Sequence, residues 1–250
     1  MTQPPVDALL FDMPPPPTPV ERLLHLASQY TQHNDSLDLL LRPTNPPAPE
    51  AHTDSAQRLA AATQAVQGER LYESDELTEV IMRLRQLAFL ADASVELSAG
   101  SARELTALAP EATVASAVTL AGEIRRRRWA TAPTPDDRLG AVHRTALAEI
   151  ACGHVVASSS LGREFTRSRE PKVLMSTLRG LETKGLAERA MGSAPAAYIG
   201  GPPLDRVRLA PAGVTALASV LGLPAAGSSP APATTPRPLP TAAQATARSR

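Results

Sequence analysis

The sequence predicts a mainly α-helical protein with a small β element near its C-terminal end, arranged as an N-terminal helical domain followed by a mixed domain. Three observations carry this prediction. Apolar residues recur at helical spacing in successive stretches from Pro19 to Leu221. Period-two alternation is clearest in two short segments, Leu186–Met191 and Asp205–Leu209. Proline-rich stretches at residues 4–19, 43–49, 133–135 and from 224 onward punctuate the chain where domain edges and linkers belong.

Composition sets the bounds. A chain of 250 residues suits one or two domains, and no apolar run reaches the ~18 to 20 residues that span a bilayer. The N-terminus places no basic segment ahead of an apolar one, so no secretory signal is read and the expected location is the cytoplasm. Cys152 is the lone cysteine and has no partner for an internal disulfide. Aromatics make up 3% of the chain, which leaves the core to Leu, Val, Ile and Ala. The 25 basic and 25 acidic residues cancel overall but not locally: residues 1–135 hold 11 basic against 17 acidic, and residues 136–221 hold 11 against 8.

Residues 1–17 read as a disordered, Pro-rich leader. A helical domain is expected over 18–130. Its first helix runs from Pro19 to about Gln32, with Val20, Leu23, Leu24, Ala27 and Tyr30 inward, and Ser36–Leu41 adds a short apolar turn. Asp54–Gly68 is the second helix, Ala-rich, with Leu59, Ala62 and Val66 inward. The third, Ser74–Leu97, is strongly periodic: Leu77, Val80, Ile81, Leu84, Leu87, Ala88, Ala91 and Val95 share one side. Ser101 and Glu104 form a capping-box pattern that opens a short helix ended by Pro110. Glu111–Trp129 follows, with Val114, Val118, Ala121 and Ile124 inward and the cationic run Arg125–Arg128 at its end. That run reads as a dipole-complementing helix end, with a phosphate-binding patch as the functional alternative.

Residues 131–135 are a linker, and a second domain is expected over 136–221. Arg138–Cys152 forms its first helix, with Leu139, Val142, Ala146, Leu147 and Ile150 inward. His154–Ser159 reads as a short strand and Ser160–Arg167 as a second helix burying Leu161 and Phe165. Pro171–Gly185 reads as the principal amphipathic helix, with Glu170 at the N-cap, Pro171 in the first turn, a stripe of Leu174, Leu178 and Leu181, and Gly185 as its left-handed end. The strands Leu186–Met191 and Asp205–Leu209 flank a Gly- and Pro-rich loop, and PAGVTALASVL closes the domain as a short helix. Residues 222–250 read as a disordered Pro/Ala-rich tail.

The order helix, Lys-Gly-Leu, hairpin, Pro-Ala-Gly and helix, carried by LRGLETKGLAER and VRLAPAG, resembles the MarR-like winged helix-turn-helix regulators over residues 136–221. The resemblance implies a small β-wing and double-stranded DNA as the partner. Placed on this sequence, it makes Lys172, Met175, Ser176, Arg179 and Thr183 the base-reading candidates of the recognition helix. Arg163, Arg167 and Arg169 become phosphate contacts upstream of it, and Arg189, Arg206 and Arg208 phosphate contacts at the base of the hairpin. The wing loop Gly192–Leu204 carries no cation, and Ala210 stands where a capping Thr is common in that family. The resemblance also implies pairing. The helix after the wing is short, so a homodimer is expected through the N-terminal helices, with Leu84 and Leu87 near the seam; burial inside that domain accounts for the same stripe equally well.

Enzymatic motifs are wanting: the sequence has no P-loop, GxGxxG, GxSxG or HExxH pattern. Cys152-Gly-His154 brings one Cys and one His together without the further ligands of a tetrahedral site. No catalytic residue, cofactor, metal or membrane contact is expected, and no effector is named. The expected function is DNA binding in transcriptional regulation. The alternative is a winged helix used as a protein-interaction module in a mobile-element or replication assembly.

Overall fold

The computed structural model describes residues 16–41, 50–67, 74–127, 139–160, 162–198 and 200–223. They form eight α-helices and one four-stranded antiparallel sheet: α1 Pro19–Leu40, α2 Glu50–Gln67, α3 Asp75–Ala93, α4 Ala99–Thr106, α5 Ala109–Arg127, α6 Ala141–Ala151, β1 Val156–Ser160, β2 Arg163–Arg167, α7 Met175–Thr183, β3 Ala187–Ala194, β4 Leu204–Leu209 and α8 Pro211–Val220. The protein is thus mainly helical with a small sheet. The expectations for the leader before residue 16, the linkers at 43–49 and 131–135, Arg128 and the tail from 224 lie outside the described residues.

α1 is the central helix of the N-terminal half, flanked by α2, α4 and α5, with α3 packed on α2 and α5. It starts at a full capping box in which Thr18 and Glu21 exchange bonds, and Pro19 occupies a first-turn position that needs no donor. Its apolar face (Val20, Leu23, Leu24, Ala27, Tyr30) is buried as expected. The helix nevertheless runs on to Leu40 through Thr31, His33, Asn34 and Asp35, all buried and polar. Each of these has a partner, as buried polar groups require. Asn34 donates to the Thr106 carbonyl at 2.9 Å and accepts from the Thr106 hydroxyl at 2.6 Å, His33 meets Ser55 at 3.1 Å, and Tyr30 donates to the Leu87 carbonyl at 3.0 Å.

In the C-terminal half the sheet order is β2-β1-β4-β3. α7 buries Leu178 and Leu181 completely and ends where Gly185 takes a φ of 67°; there the Leu186 N–H donates to the Leu181 carbonyl and the Gly185 N–H to the Glu182 carbonyl. α8 passes so close to the segment between α7 and β3 that a Cβ on Gly213 would lie 1.9 Å from the Leu186 carbonyl oxygen. Only glycine fits there.

One apolar cluster runs from Val20 of α1 through α3, α5 and α6 to Leu221, just after α8. Polar ties reinforce it. Asp35 of α1 accepts two bonds from Arg206 of β4, at 2.5 and 2.9 Å, and Arg206 also donates to the Gly153 carbonyl at 2.5 Å. Arg125 of α5 donates to the carbonyls of Leu221 and Ser219 at the end of α8, and Thr215 of α8 donates to Glu21. α1 therefore packs over the β3–β4 part of one side of the sheet and leaves the β2 edge of that side open.

Several elements differ from the sequence expectation. Residues 163–167 are a strand, not a helix, and Phe165 is exposed. The principal helix of the C-terminal half starts at Met175 rather than Pro171; Leu174 is its exposed N-cap, and Val173 takes the buried place assigned to it. α4 is capped by Ser98, whose hydroxyl accepts from the Ser101 N–H, not by a Ser101–Glu104 box, and Pro110 lies in the first turn of α5. Val118 and Val142 face outward. Leu84 and Leu87 are interior residues at 0% and 5% exposure, so the stripe assigned to a dimer seam is core.

Candidate nucleic-acid interface

The turn from Ser168 to Leu174 sets the aim of α7. The Ser168 hydroxyl accepts from the Val173 N–H at 2.9 Å, and Thr166 of β2 donates to the Val173 carbonyl at 2.6 Å. With Val173, Leu178 and Leu181 fastened inward, the opposite side of the turn and helix leaves Lys172, Ser176, Arg179 and Thr183 exposed, with Met175 half-buried beside them. These five candidates come together on one surface. The Thr183 hydroxyl donates to the Arg179 carbonyl at 2.8 Å, which leaves its methyl and a lone pair outward.

Carboxylates already hold the arginines of this surface. Glu164 of β2 accepts from Arg179 at 2.9 Å through one oxygen and from Arg189 of β3 at 2.8 Å through the other. Arg189 also makes a two-point contact with Glu182, at 2.5 and 3.0 Å. Hydrogen bonds from Arg189 and Arg179 hold the Glu164 carboxyl down to about 2. A phosphate reaching Arg179 therefore competes with Glu164 for its Nε and Nη2 edge and has only the Nη1 side open. Arg169 is similarly held at 2.6 Å by Glu111 of α5, and Glu111 also meets His154 Nε2 at 2.9 Å while Glu149 meets Nδ1 at 2.8 Å.

The remaining candidates do not join this surface. Arg206 is 9% exposed and ion-paired with Asp35, so it is an interior tie between the two halves and not a phosphate contact. Arg208 is half-buried, and burial pushes its guanidinium pKa down. Arg163 and Arg167 are exposed, but on the other face of the sheet. Antiparallel partners share a face, and the register aligns Arg167, Val156 of β1 and Arg206 in one row on the side from which α1 reaches Arg206. Glu164, one residue out of phase, points to the α7 side. Reading residues 160–167 as a helix concealed this division; the alternation in Arg-Glu-Phe-Thr-Arg was the available signal.

The described part of the cationic run, Arg125–Arg127, braces the chain against itself. Arg125 bonds the carbonyls that end α8, Arg126 pairs with Glu76 at 3.1 Å and Glu123 at 2.8 Å, and Arg127 lies 3.6 Å from Glu123. Cys152 is half-buried, and burial, followed by the charges of Glu149 and Glu111, pushes its thiol up to about 12. No group of three His, Cys, Asp or Glu side chains among the described residues has the geometry to hold a metal ion. Comparison with protein-family models, curated proteins and solved structures finds no match to this chain.

Proposed function

We propose that the protein binds double-stranded DNA through α7 and acts in transcriptional regulation. The observation that carries this reading is the helix itself. Its core side is fixed by Leu178 and Leu181, and its outward side offers Arg179, Ser176 and Thr183 with Lys172 at the entry, groups suited to base edges and phosphates in a major groove. Selecting bound sequences from a random duplex pool and then measuring affinity on the recovered site tests it. Arg179→Ala is expected to cost about 1 to 3 kcal/mol on that site and to relax preference at one position, and Lys172→Ala to weaken all sequences alike. Wild-type affinity in both variants would sink the reading.

One observation favours a second reading. Glu164 and Glu182 neutralise Arg179 and Arg189 within the chain, as suits a surface that meets protein instead of phosphate. Salt separates the two, because releasing counterions from DNA makes affinity fall steeply with ionic strength. Pairing through the N-terminal helices remains part of the proposal, moved to the outer side of α3, where Met82 and Phe89 are 48% and 70% exposed.

A further inference from the structure

We propose that the α1 side of β2 is a stacking platform for single-stranded nucleic acid, separate from the α7 surface. The chain has three phenylalanines, and the two that are described, Phe89 and Phe165, are both exposed. Phe165 lies at the centre of β2 between Arg163 and Arg167, all three on one face, with Ser158 of β1 directly opposite the ring. The same-face repeat of a strand is about 7 Å, so a cation, a ring and a second cation meet consecutive groups of an extended ligand.

Charge identifies that ligand as an anion. In this half of the chain Arg169, Arg179, Arg189 and Arg206 are ion-paired, and Arg144 is bonded to the Leu139 carbonyl. Among the described residues neither the Arg163 nor the Arg167 side chain has an ion-pair or hydrogen-bond partner, although both backbones pair with β1. The acids nearest in sequence or on the same face are engaged or remote: Glu164 points to the other face, Asp35 is taken by Arg206, and Glu188 stands opposite Arg208 towards the far edge. Glu170, three residues past Arg167, stands in the exposed turn and makes no ion pair with either arginine. The ring adds what phosphate or carboxylate alone would not need, because an exposed aromatic between cations recognises a flat base joined to phosphates. A duplex keeps its bases stacked inside, and one lying along α7 sits on the opposite face of the sheet. Single strands offer both parts of the ligand at once.

The test uses the full chain and fluorescence anisotropy with labelled oligothymidylate, a blunt duplex and a polyglutamate peptide across a salt series. Oligothymidylate should bind, and Phe165→Ala should weaken it roughly 5- to 150-fold while Phe165→Trp keeps it. Arg163→Ala with Arg167→Ala should lower the salt slope for oligothymidylate by about 1.4, the value for two phosphates. Arg179→Ala should leave oligothymidylate binding unchanged and affect the duplex alone, so failure of either surface is read independently of the other. Absence of oligothymidylate binding by the wild type, wild-type affinity in Phe165→Ala, or equal binding of polyglutamate would each overturn the proposal. All four side chains are exposed, and circular dichroism of each variant confirms that the fold is kept.

Discussion

At the scale of single residues, the pair Asp35 and Arg206 is the most exacting contact in the molecule. Both side chains are withdrawn from water, and a charge left alone there has neither solvent nor counterion. Asp35→Ala is expected to cost about 3 to 5 kcal/mol in urea unfolding. Asp35→Leu with Arg206→Met should recover much of that loss, because an apolar pair of similar volume needs no partner charge. Equal stabilities for the wild type and Asp35→Ala would show that the bridge is solvated. Cys152 gives a chemical check on burial. Its thiol titrates near 12 in the fold, above the usual value of 9.0, so the native state disfavours the thiolate. Stability should therefore fall as pH rises from about 9 to 12. At pH 8 an aromatic disulfide reagent should modify Cys152 far more slowly in the native protein than in urea, and equal rates would contradict the burial.

Among the elements, β2 carries the most chemistry, since it divides its side chains between two surfaces. Its inward-phase member, Glu164, ties the sheet to α7 and β3 through Arg179 and Arg189. The sign of its pH effect follows from a folded-state pKa near 2 against an ordinary 4.5. The stabilisation is complete above about 4.5 and is lost as pH falls towards 2. Glu164→Gln should accordingly flatten the loss of thermal stability between pH 5 and 2; an unchanged slope would place the acid transition in other carboxylates. This is also the element that was hardest to read beforehand. Leu161 and Phe165 are four apart and suggested a helical stripe, whereas Gly162, at a φ of 73°, provides a turn and the next five residues alternate. The start of α7 misled for a related reason. Pro171 suits a first turn, but Val173 two residues later is buried ahead of the helix and the N-cap Leu174 is extended, so the helix waits until Met175. Long helices such as α3 were legible because six of their inward positions are buried together. α1 looked shorter than it is: His33, Asn34 and Asp35 interrupt the apolar pattern, and no local signal announces partners as distant as Thr106 and Arg206.

For the whole molecule, the continuity of the core from α1 to Leu221 is the governing fact. Sequence punctuation suggested two domains at 18–130 and 136–221, and the packing between those halves determines whether they unfold independently. Shared apolar surface and a buried ion pair across the junction couple their free energies. Thermal unfolding of the full chain is expected as one transition, with calorimetric and van't Hoff enthalpies equal; two resolved transitions would show that the halves are thermodynamically separate.

The same tie between Asp35 and Arg206 has a consequence for how the protein is made. The two residues are 171 positions apart, and a ribosome adding about 5 to 20 residues per second needs roughly 9 to 34 s to pass from one to the other. Throughout that interval the nascent α1 lacks the sheet strands it packs against, and the Asp35 carboxylate has no Arg206 to meet. α1, made well before β4, is thus among the last of the described elements to reach its final surroundings, because its far end is completed only once Arg206 has been made.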